Sequence, residues 1–96
     1  MSIRPFTIHV ADEVLHDLRD RLRRTRWPEQ FEDAGWDYGA NLTYIRQLCD
    51  YWAESYDWRL HEGHLNRHPG FLAEIDGVDI HFWHTRSGKP AALPLL

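Results

Sequence analysis

Three histidines, His61, His64 and His68, are the residues whose type and spacing come closest to a metal-binding pattern. On a helix these offsets would place the three imidazoles on one face, and imidazoles are common zinc ligands. The spacing nevertheless differs from the His-Glu-x-x-His pattern of zinc enzymes. Pro69 is also expected to end the helix before His68 joins it. We therefore interpret these histidines as an exposed polar face rather than a metal site.

The groups that could act as nucleophiles or general bases lack the sequence context that activates such groups. Cys49 lies within the apolar stripe of a predicted helix, where a thiol is inert. His81 and His84 fall on opposite faces of a predicted strand and therefore cannot work as a pair. The serines lack the Gly-x-Ser-x-Gly turn that exposes a nucleophile; they are Ser2, Ser55 and Ser87.

Two pairs of carboxylates are close in sequence, Glu54 with Asp57 and Asp76 with Asp79. Paired carboxylates carry out acid and base catalysis in glycosidases. With 15 acidic residues in 96, however, proximity of this kind is expected by chance. The chain also has no glycine-rich phosphate loop. The sequence therefore assigns no catalytic, cofactor-binding or metal-binding residue, and no cofactor is expected.

The composition indicates one small soluble domain. A chain of 96 residues buries only about 65% of the surface that its unfolded form exposes. The hydrophobic content of 43% is ordinary, and a net charge of −4 disfavours nucleic acid and anionic membranes as partners. The single cysteine, Cys49, suits a reducing compartment. Neither a signal peptide nor a long apolar run is present, so we expect a cytoplasmic location.

The N-terminal part of the chain predicts a short strand followed by an amphipathic helix. Apolar and polar residues alternate from Phe6 to Val10, which is typical of a half-exposed edge strand. Apolar residues at helical spacing then predict a helix over residues 12–25, with Asp12 as its N-cap. Pro28 stops the helix and fixes the corner from which Trp27 projects.

An aromatic stretch, Tyr51 to Arg59, is the feature around which the rest of the chain can be organised. It is preceded by a loop over residues 28–40 and by a second helix that begins after Asn41, a suitable N-cap. Asp57 is predicted to cap a third helix that ends at Asn66 in a left-handed conformation. The buried face of the second helix is expected to comprise Leu42, Ile45, Leu48, Cys49 and Trp52.

The C-terminal part predicts a β-hairpin and a further strand. Phe71 to Ile75 and Val78 to His84 are alternating runs joined by Asp76-Gly77, a dipeptide suited to a type I′ turn. The final run, Ala91 to Leu96, is nearly all apolar, which is typical of a strand buried on both faces. Ending such a strand with a charged terminus is costly. The chain therefore reads as unfinished, and we expect a partner or a continuation to cover this end.

Eight short fragments occur in an order and spacing that resemble the N-terminal region of microsomal-type epoxide hydrolases, over nearly the whole chain. They are Pro5-Phe6, Asp17 to Leu22, Thr25 to Pro28, Trp36 to Gly39, Tyr51-Trp52, Tyr56 to Arg59, Leu65-Asn66 and Ile75 to Phe82. Some members of this family carry a membrane anchor before the region. Here the resemblance begins almost at Met1, which implies a form without that anchor.

The resemblance implies an α+β fold that forms one epoxide hydrolase N-terminal domain. A helical meander over residues 1–70 would precede a β-hairpin and the first strands of an incomplete α/β-hydrolase sheet over residues 71–96. The family's oxyanion segment His-Gly-x-Pro, its nucleophilic aspartate, its catalytic histidine and its two epoxide-polarising tyrosines would all lie beyond Leu96. The tyrosines of this chain are therefore not given that role; they are Tyr38, Tyr44, Tyr51 and Tyr56.

The sequence thus predicts a truncated N-terminal structural domain that supports hydrolysis of epoxides to vicinal diols only together with a catalytic domain. The expected partner is the remainder of an α/β-hydrolase domain. The alternative is a non-catalytic module that self-associates through its C-terminal strand edge, since an unpaired edge is a template for pairing. If Trp58 is a buried anchor, Trp58→Ala should cost about 3–5 kcal/mol of stability.

Overall fold

The computed structural model describes residues 2–96 and has the α+β composition that the sequence predicted. In chain order the elements are β1 (Ser2–Pro5), α1 (Asp12–Arg23), α2 (Leu42–Glu54), α3 (Trp58–Leu65), β2 (Gly70–Ile75) and β3 (Val78–Trp83). They fall into two compact units. Residues 10–58 form a helical unit, and residues 2–9 with 59–96 form a sheet unit.

Helix α1 has the predicted amphipathic character but slightly different ends. Its N-cap is Ala11, without a side-chain hydrogen bond, while Asp12 is the first helical residue and favours the helix through its charge near the N-terminus. The helix ends at Arg23, two positions before the predicted end. The Thr25 hydroxyl donates a hydrogen bond to the Leu22 carbonyl at 2.8 Å and satisfies one of the carbonyls at that end.

Helix α2 begins at Leu42, directly after Asn41, the N-cap that the sequence predicted. The backbone N–H of Tyr44 donates to Oδ1 of Asn41 at 3.0 Å, which confirms Asn41 as the cap. The helix packs against α1 within the helical unit. Of its residues only Ala53 is buried, and Trp52 remains 42% exposed. The prediction of a buried stripe is therefore wrong for Trp52 and also for Leu48, which is 46% exposed, because packing against α1 leaves much of both side chains open to solvent.

Gln30 connects the loop between α1 and α2 both to the loop's own backbone and to the second helix. Gln30 donates from Nε2 to the Gly35 carbonyl at 2.9 Å, and its Oε1 accepts from the Leu42 N–H at 3.0 Å. The second bond ties the loop to the first residue of α2. This ordering of the loop agrees with the sequence prediction. The aromatic rings pair as Phe31 with Tyr38 and Trp36 with Tyr44.

The sheet is antiparallel with strand order β1-β2-β3. The β2–β3 hairpin confirms the predicted turn, since Asp76 and Gly77 have φ values of 50° and 78° and a type I′ turn needs positive φ at both central positions. Residues that lie opposite each other share a face. One face is therefore apolar, with Ile3, Pro5, Phe71, Ala73, Ile75, Val78, Ile80 and Phe82.

The predicted strand from Phe6 to Val10 is wrong, since β1 ends at Pro5. Asn66 explains the change, because its side chain accepts a hydrogen bond from the Ile8 N–H and donates one to the Ile8 carbonyl, both at 2.8 Å. One amide side chain thus takes the place of a neighbouring strand. Asn66 is not among the positive-φ residues, so its predicted left-handed conformation is also wrong.

The final run, Ala91 to Leu96, forms no strand in the structure, contrary to the sequence prediction. Leu93 is 92% exposed and Leu95 is 98% exposed. Strand geometry needs a neighbouring strand to take the backbone hydrogen bonds, and β3 does not pair with this segment. The apolar sequence by itself therefore does not make the segment a strand.

Candidate functional site

An apolar groove with a volume of about 510 Å³ lies in the helical unit. Its lining comes from α1, α2, one residue before α1 and the segment that follows α2 up to the first residue of α3. Every lining side chain is aliphatic or aromatic, and none is charged. The lining residues are Val10, Val14, Leu15, Leu18, Leu48, Tyr51, Trp52, Tyr56 and Trp58.

Helical spacing explains why these side chains come together. Leu15 and Leu18 are three positions apart on α1, and Leu48 and Trp52 are four positions apart on α2. Residues with these spacings lie on one face of a helix. The two apolar faces meet because α1 packs against α2. The groove therefore follows directly from the amphipathic patterns of the two helices.

Much of the groove surface is open to solvent. Val14 is 57% exposed, Tyr51 is 55% exposed and Trp52 is 42% exposed. In contrast, the buried hydrophobic residues of the described chain are all alanines: Ala34, Ala53 and Ala73. Contiguous exposed apolar surface of this kind marks an interaction site in a soluble protein.

One ion pair joins the two helices that form the groove. Arg23 Nε lies 2.9 Å from Glu54 Oε1 and also approaches Asp20. The hydrogen bond from Arg23, followed by its charge, lowers the pKa of the Glu54 carboxyl below its ordinary value. The same contacts raise the pKa of Arg23. Both groups are exposed, so the pair orients the helix ends more than it stabilises them.

The three histidines considered as metal ligands have different surroundings. The rings of His61 and His64 lie 6.2 Å apart on α3. The helix ends at Leu65, before His68, whose ring lies 5.9 Å from that of Trp83. Within residues 2–96 no group of three or more His, Cys, Asp or Glu side chains is arranged to hold a metal ion.

The strand histidine His81 packs between two aromatic rings. Its ring lies 5.4 Å from Phe6 and 5.4 Å from Trp83, in edge-on geometry for both. The packing crosses β2 at Gly70, where a Cβ would meet the Phe6 carbonyl at 2.7 Å. His84 follows β3, and its N–H donates to the Pro69 carbonyl at 3.1 Å. These contacts hold the sheet unit together.

The candidate nucleophiles and carboxylates occupy structural positions. Cys49 is a half-buried free thiol on α2. Ser55 is the C-cap residue of α2, and the Ser87 hydroxyl accepts a hydrogen bond from the Lys89 N–H. Of the carboxylate pairs, Glu54 contacts Arg23, while Asp79 contacts Arg4 at 2.6 Å. The tyrosines pack against neighbouring rings, for example Tyr51 against Tyr56.

An ion pair on α3 with a buried carboxylate was missed by the sequence reasoning. Glu62 is only 7% exposed, and its Oε1 accepts a hydrogen bond from Arg59 at 2.7 Å. The spacing of three residues on a helix was a signal that could have identified the pair. The pair is a packing feature of α3, and the burial of Glu62 could not be read from the sequence because it depends on distant residues.

None of the described helices combines the length and the apolar character needed to cross a bilayer.

Three comparisons relate the chain to known proteins. Residues 3–96 match the family described as "Epoxide hydrolase N terminus". The chain is 40% identical to "Epoxide hydrolase 1" of Sus scrofa over 93 residues, which are 97% of this chain and 20% of that protein. Among solved structures, Aspergillus niger epoxide hydrolase matches with a TM-score of 0.84 at 33% identity, covering 98% of this chain and 25% of that one.

A second solved structure, juvenile hormone epoxide hydrolase from Bombyx mori, matches with a TM-score of 0.83 and 31% identity. It covers 94% of this chain and 22% of the silkworm chain. The present chain thus spans about a fifth of the length of the curated relatives that it matches.

Proposed function

Because the chain belongs to the epoxide hydrolase N-terminus family, which matches residues 3–96, we propose that it is the N-terminal structural domain of an epoxide-hydrolase-like protein. In this role it supports the hydrolysis of epoxides to vicinal diols only together with a catalytic α/β-hydrolase domain. The observation that carries the proposal is that the match covers nearly all of this chain but about a fifth of its relatives.

The chemistry of the reaction supports a structural role for this chain and a catalytic role for a separate domain. Opening an epoxide through a covalent ester needs a carboxylate nucleophile, an acid that protonates the departing oxygen and a base that activates water. In the part of the chain described here, Glu54 and Asp79 contact arginines on the surface. Surface carboxylates held in this way are poorly placed to attack a substrate, so the catalytic domain would supply these groups.

The proposal extends to the division of the chain. Residues 1–70 would be the helical meander, and residues 71–96 would be the first strands of the hydrolase sheet. The β2–β3 hairpin is consistent with this assignment, and β1 adds a further strand on the other side of β2. A sheet of only three strands leaves most of its apolar face exposed, as the 57% exposure of Val78 shows. Further layers from a catalytic domain would cover that face.

A chimeric enzyme tests the proposed function. In Aspergillus niger epoxide hydrolase, this chain would replace the matching quarter of the sequence. Styrene oxide hydrolysis would be measured for the chimera, for the present chain alone and for the remaining part of the enzyme alone. We expect activity in the chimera and none in the two separate parts. Epoxide hydrolysis by the present chain alone, or a well-folded chimera without activity, would contradict the proposal.

A second candidate function, a self-associating interaction module, is favoured by an asymmetry between the sheet edges. Strand β1 has four residues and contains Pro5, which lacks a backbone donor. Strand β3 has six residues without proline, and its outer edge is unpaired in the described sheet. Only the β3 edge is thus a good template for pairing with a second copy. Light scattering across a wide concentration range tests it, and a strictly monomeric chain would exclude it.

We also propose a cytoplasmic location. The single cysteine, Cys49, is a free thiol, which suits a reducing compartment. Fractionation of cells that express the tagged chain would test this, and recovery in the membrane fraction would contradict it.

A further inference from the structure

We propose that the segment after β3 forms a binding site for the phosphate group of a soluble organic phosphate monoester, which Arg86 and Lys89 recognise. The site belongs to the sheet unit and shares no residue with the groove of the helical unit. It is independent of the proposed function, because it uses side chains of this chain alone.

A recess with a volume of about 590 Å³ lies within residues 84–95. Its polar side chains are those of His84, Thr85, Arg86, Ser87 and Lys89, and the rest of its lining is alanine, leucine, proline and one glycine. No carboxylate side chain lines it. Small-molecule sites typically have volumes of about 300–1,000 Å³ and combine apolar surface with a few polar groups. The recess therefore has the size and the composition of a ligand site.

The charge of this segment is opposite in sign to that of the whole chain. The protein has a net charge of −4, yet all 15 acidic residues precede Ile80. Neither Arg86 nor Lys89 takes part in an ion pair of the described structure. A recess with charges of one sign concentrates ligands of the opposite sign. The lining therefore selects an anionic ligand.

The arginines of α1 are less suited to such a ligand. Arg21 is paired with Asp17 at 2.8 Å. Arg23 is paired with Glu54 at 2.9 Å. An anion would have to displace these carboxylates, and it would also meet the negative end of the helix dipole at the C-terminus of α1. The recess after β3 presents neither obstacle.

The backbone between Arg86 and Lys89 bends so that both side chains line the same recess. The Ser87 Oγ accepts a hydrogen bond from the Lys89 N–H at 3.1 Å. Gly88 has a φ of 69°, a left-handed conformation that glycine adopts without steric cost. Since the Ser87 oxygen is the acceptor in that bond, its hydroxyl hydrogen can be donated to a ligand.

A phosphate group matches these donors better than a carboxylate does. The guanidinium of Arg86 presents a fork of N–H groups that fits two phosphate oxygens, and the ammonium of Lys89 adds further donors. A phosphate monoester offers three acceptor oxygens and a charge of about −1.5 to −2 at neutral pH. A carboxylate offers two oxygens and a single charge. The apolar part of the lining would cover the organic group of the ester.

Titration of the ¹⁵N-labelled chain with phenyl phosphate, followed by NMR, tests the site. We expect the backbone amide signals of residues 85–89 to shift together with one Kd. Phenol should cause no such shift, because it lacks the charge. Inorganic phosphate should bind more weakly than phenyl phosphate, because it leaves the apolar lining unused. Benzoate should bind about 10-fold more weakly, because it makes fewer charge-assisted hydrogen bonds.

Arg86→Gln and Lys89→Gln should each weaken the binding of phenyl phosphate by about 10-fold or more. Arg67→Gln is the control, since it removes a positive charge from the same unit at a position outside the recess. It should change the Kd by less than about twofold. All three positions are exposed, so the circular dichroism spectra of the variants should match that of the wild type.

Three results would overturn the inference. The first is an equal weakening by Arg67→Gln and Arg86→Gln, which would show that only the overall charge attracts the phosphate. The second is binding of phenyl phosphate that neither Arg86→Gln nor Lys89→Gln weakens. The third is binding of benzoate as tight as that of phenyl phosphate, which would exclude selection of a phosphate group.

Vesicles of phosphatidylcholine with and without phosphatidic acid distinguish a soluble ester from a lipid headgroup, since phosphatidic acid is itself a phosphate monoester. The net charge of −4 disfavours an anionic membrane, so the chain should stay in the supernatant with both kinds of vesicle. Sedimentation with phosphatidic acid that Arg86→Gln abolishes would overturn the soluble ligand in favour of a lipid. Hydrolysis of styrene oxide by the chimera is measured separately, so a failed phosphate site would leave the proposed function intact.

Discussion

Arg23 and Glu54, the last residues of α1 and α2, are joined by a hydrogen-bonded ion pair of 2.9 Å across 31 positions of sequence. The same two helices also form the apolar groove. Among the described ion pairs of the helical unit, this one connects two different helices, α1 and α2. Its protonation should therefore be visible in the stability of that unit.

The Arg23–Glu54 pair predicts a pH dependence at low pH. Arg23 lowers the folded-state pKa of Glu54, first through the hydrogen bond and then through its charge. A carboxyl with a lowered pKa stabilises the fold at pH values above its ordinary 4.5, and this contribution is lost as the pH falls through the folded pKa. At neutral pH the melting temperature of the wild type should be higher than that of Glu54→Gln. This difference in melting temperature should disappear at acidic pH. A constant difference from neutral pH to acid would contradict the prediction, and Asp50→Asn serves as a control on the same helix.

Gln30→Ala should destabilise the helical unit by about 1–2 kcal/mol, because two hydrogen bonds are lost together. In one, the side-chain amide of Gln30 donates to the Gly35 carbonyl. In the other, the Gln30 side-chain oxygen accepts from the Leu42 N–H at the start of α2. Urea unfolding followed by far-ultraviolet circular dichroism measures the change. Glu29→Ala, at the exposed neighbouring position, should cost less than about 0.5 kcal/mol. Equal effects of the two substitutions would show that the Gln30 bonds contribute nothing.

Gly70→Ala and Gly63→Ala should act in opposite directions. A Cβ at Gly70 would lie 2.7 Å from the Phe6 carbonyl, which cannot retreat easily because the Phe6 N–H donates to the Gly70 carbonyl. We expect a loss of about 1–3 kcal/mol. At Gly63, inside α3, a Cβ meets no atom within 4 Å, so alanine should add about 0.5–1 kcal/mol through helix propensity. Thermal unfolding of both variants checks the pair, and a neutral Gly70→Ala would contradict the steric argument.

Asn66→Ala should release the segment that follows β1. The amide of Asn66 holds both the N–H and the carbonyl of Ile8, so alanine removes two hydrogen bonds at a cost of about 1–2 kcal/mol. Asn66→Asp keeps the acceptor and loses the donor, and should be intermediate. Hydrogen exchange at the Ile8 amide should accelerate in Asn66→Ala but much less in Asn66→Asp. Unchanged exchange in Asn66→Ala would show that another group protects this amide.

Trp58→Ala should cost about 1–3 kcal/mol in the isolated chain rather than the 3–5 kcal/mol expected for a fully buried ring. The reason is that Trp58 is half-buried at the wall of the groove. Leu93→Ala, at a position that is 92% exposed, should cost less than about 0.5 kcal/mol and serves as the control. Urea unfolding measures both. A loss above about 4 kcal/mol would show that the ring is an internal anchor of this unit.

Features of the fold that depend on short-range chemistry were predicted well from the sequence. The N-cap at Asn41 and the type I′ turn at Asp76-Gly77 are both confirmed. Each rests on residues within a few positions of one another, whose side-chain and backbone preferences act without distant partners. The apolar faces of α1 and α2 likewise follow from periodicity.

Features that depend on distant neighbours were not predicted correctly. The first strand is Ser2–Pro5 rather than Phe6 to Val10, because an amide from Asn66 replaces a strand partner at Ile8. The aromatic stretch from Tyr51 to Arg59 was expected to supply buried anchors, yet Trp52 is 42% exposed. Periodicity identifies which residues share a face, but it does not say how much surface is available to cover that face.

The sequence by itself determined the α+β class, the positions of the helices and hairpin, and the family resemblance, because these are recorded in local patterns and in the order of motifs. The tertiary structure alone decided that the faces of α1 and α2 form an open groove and that Ala91 to Leu96 form no strand. Burial and strand pairing are properties of two surfaces at once. The residue pattern of one segment specifies only one of those two surfaces.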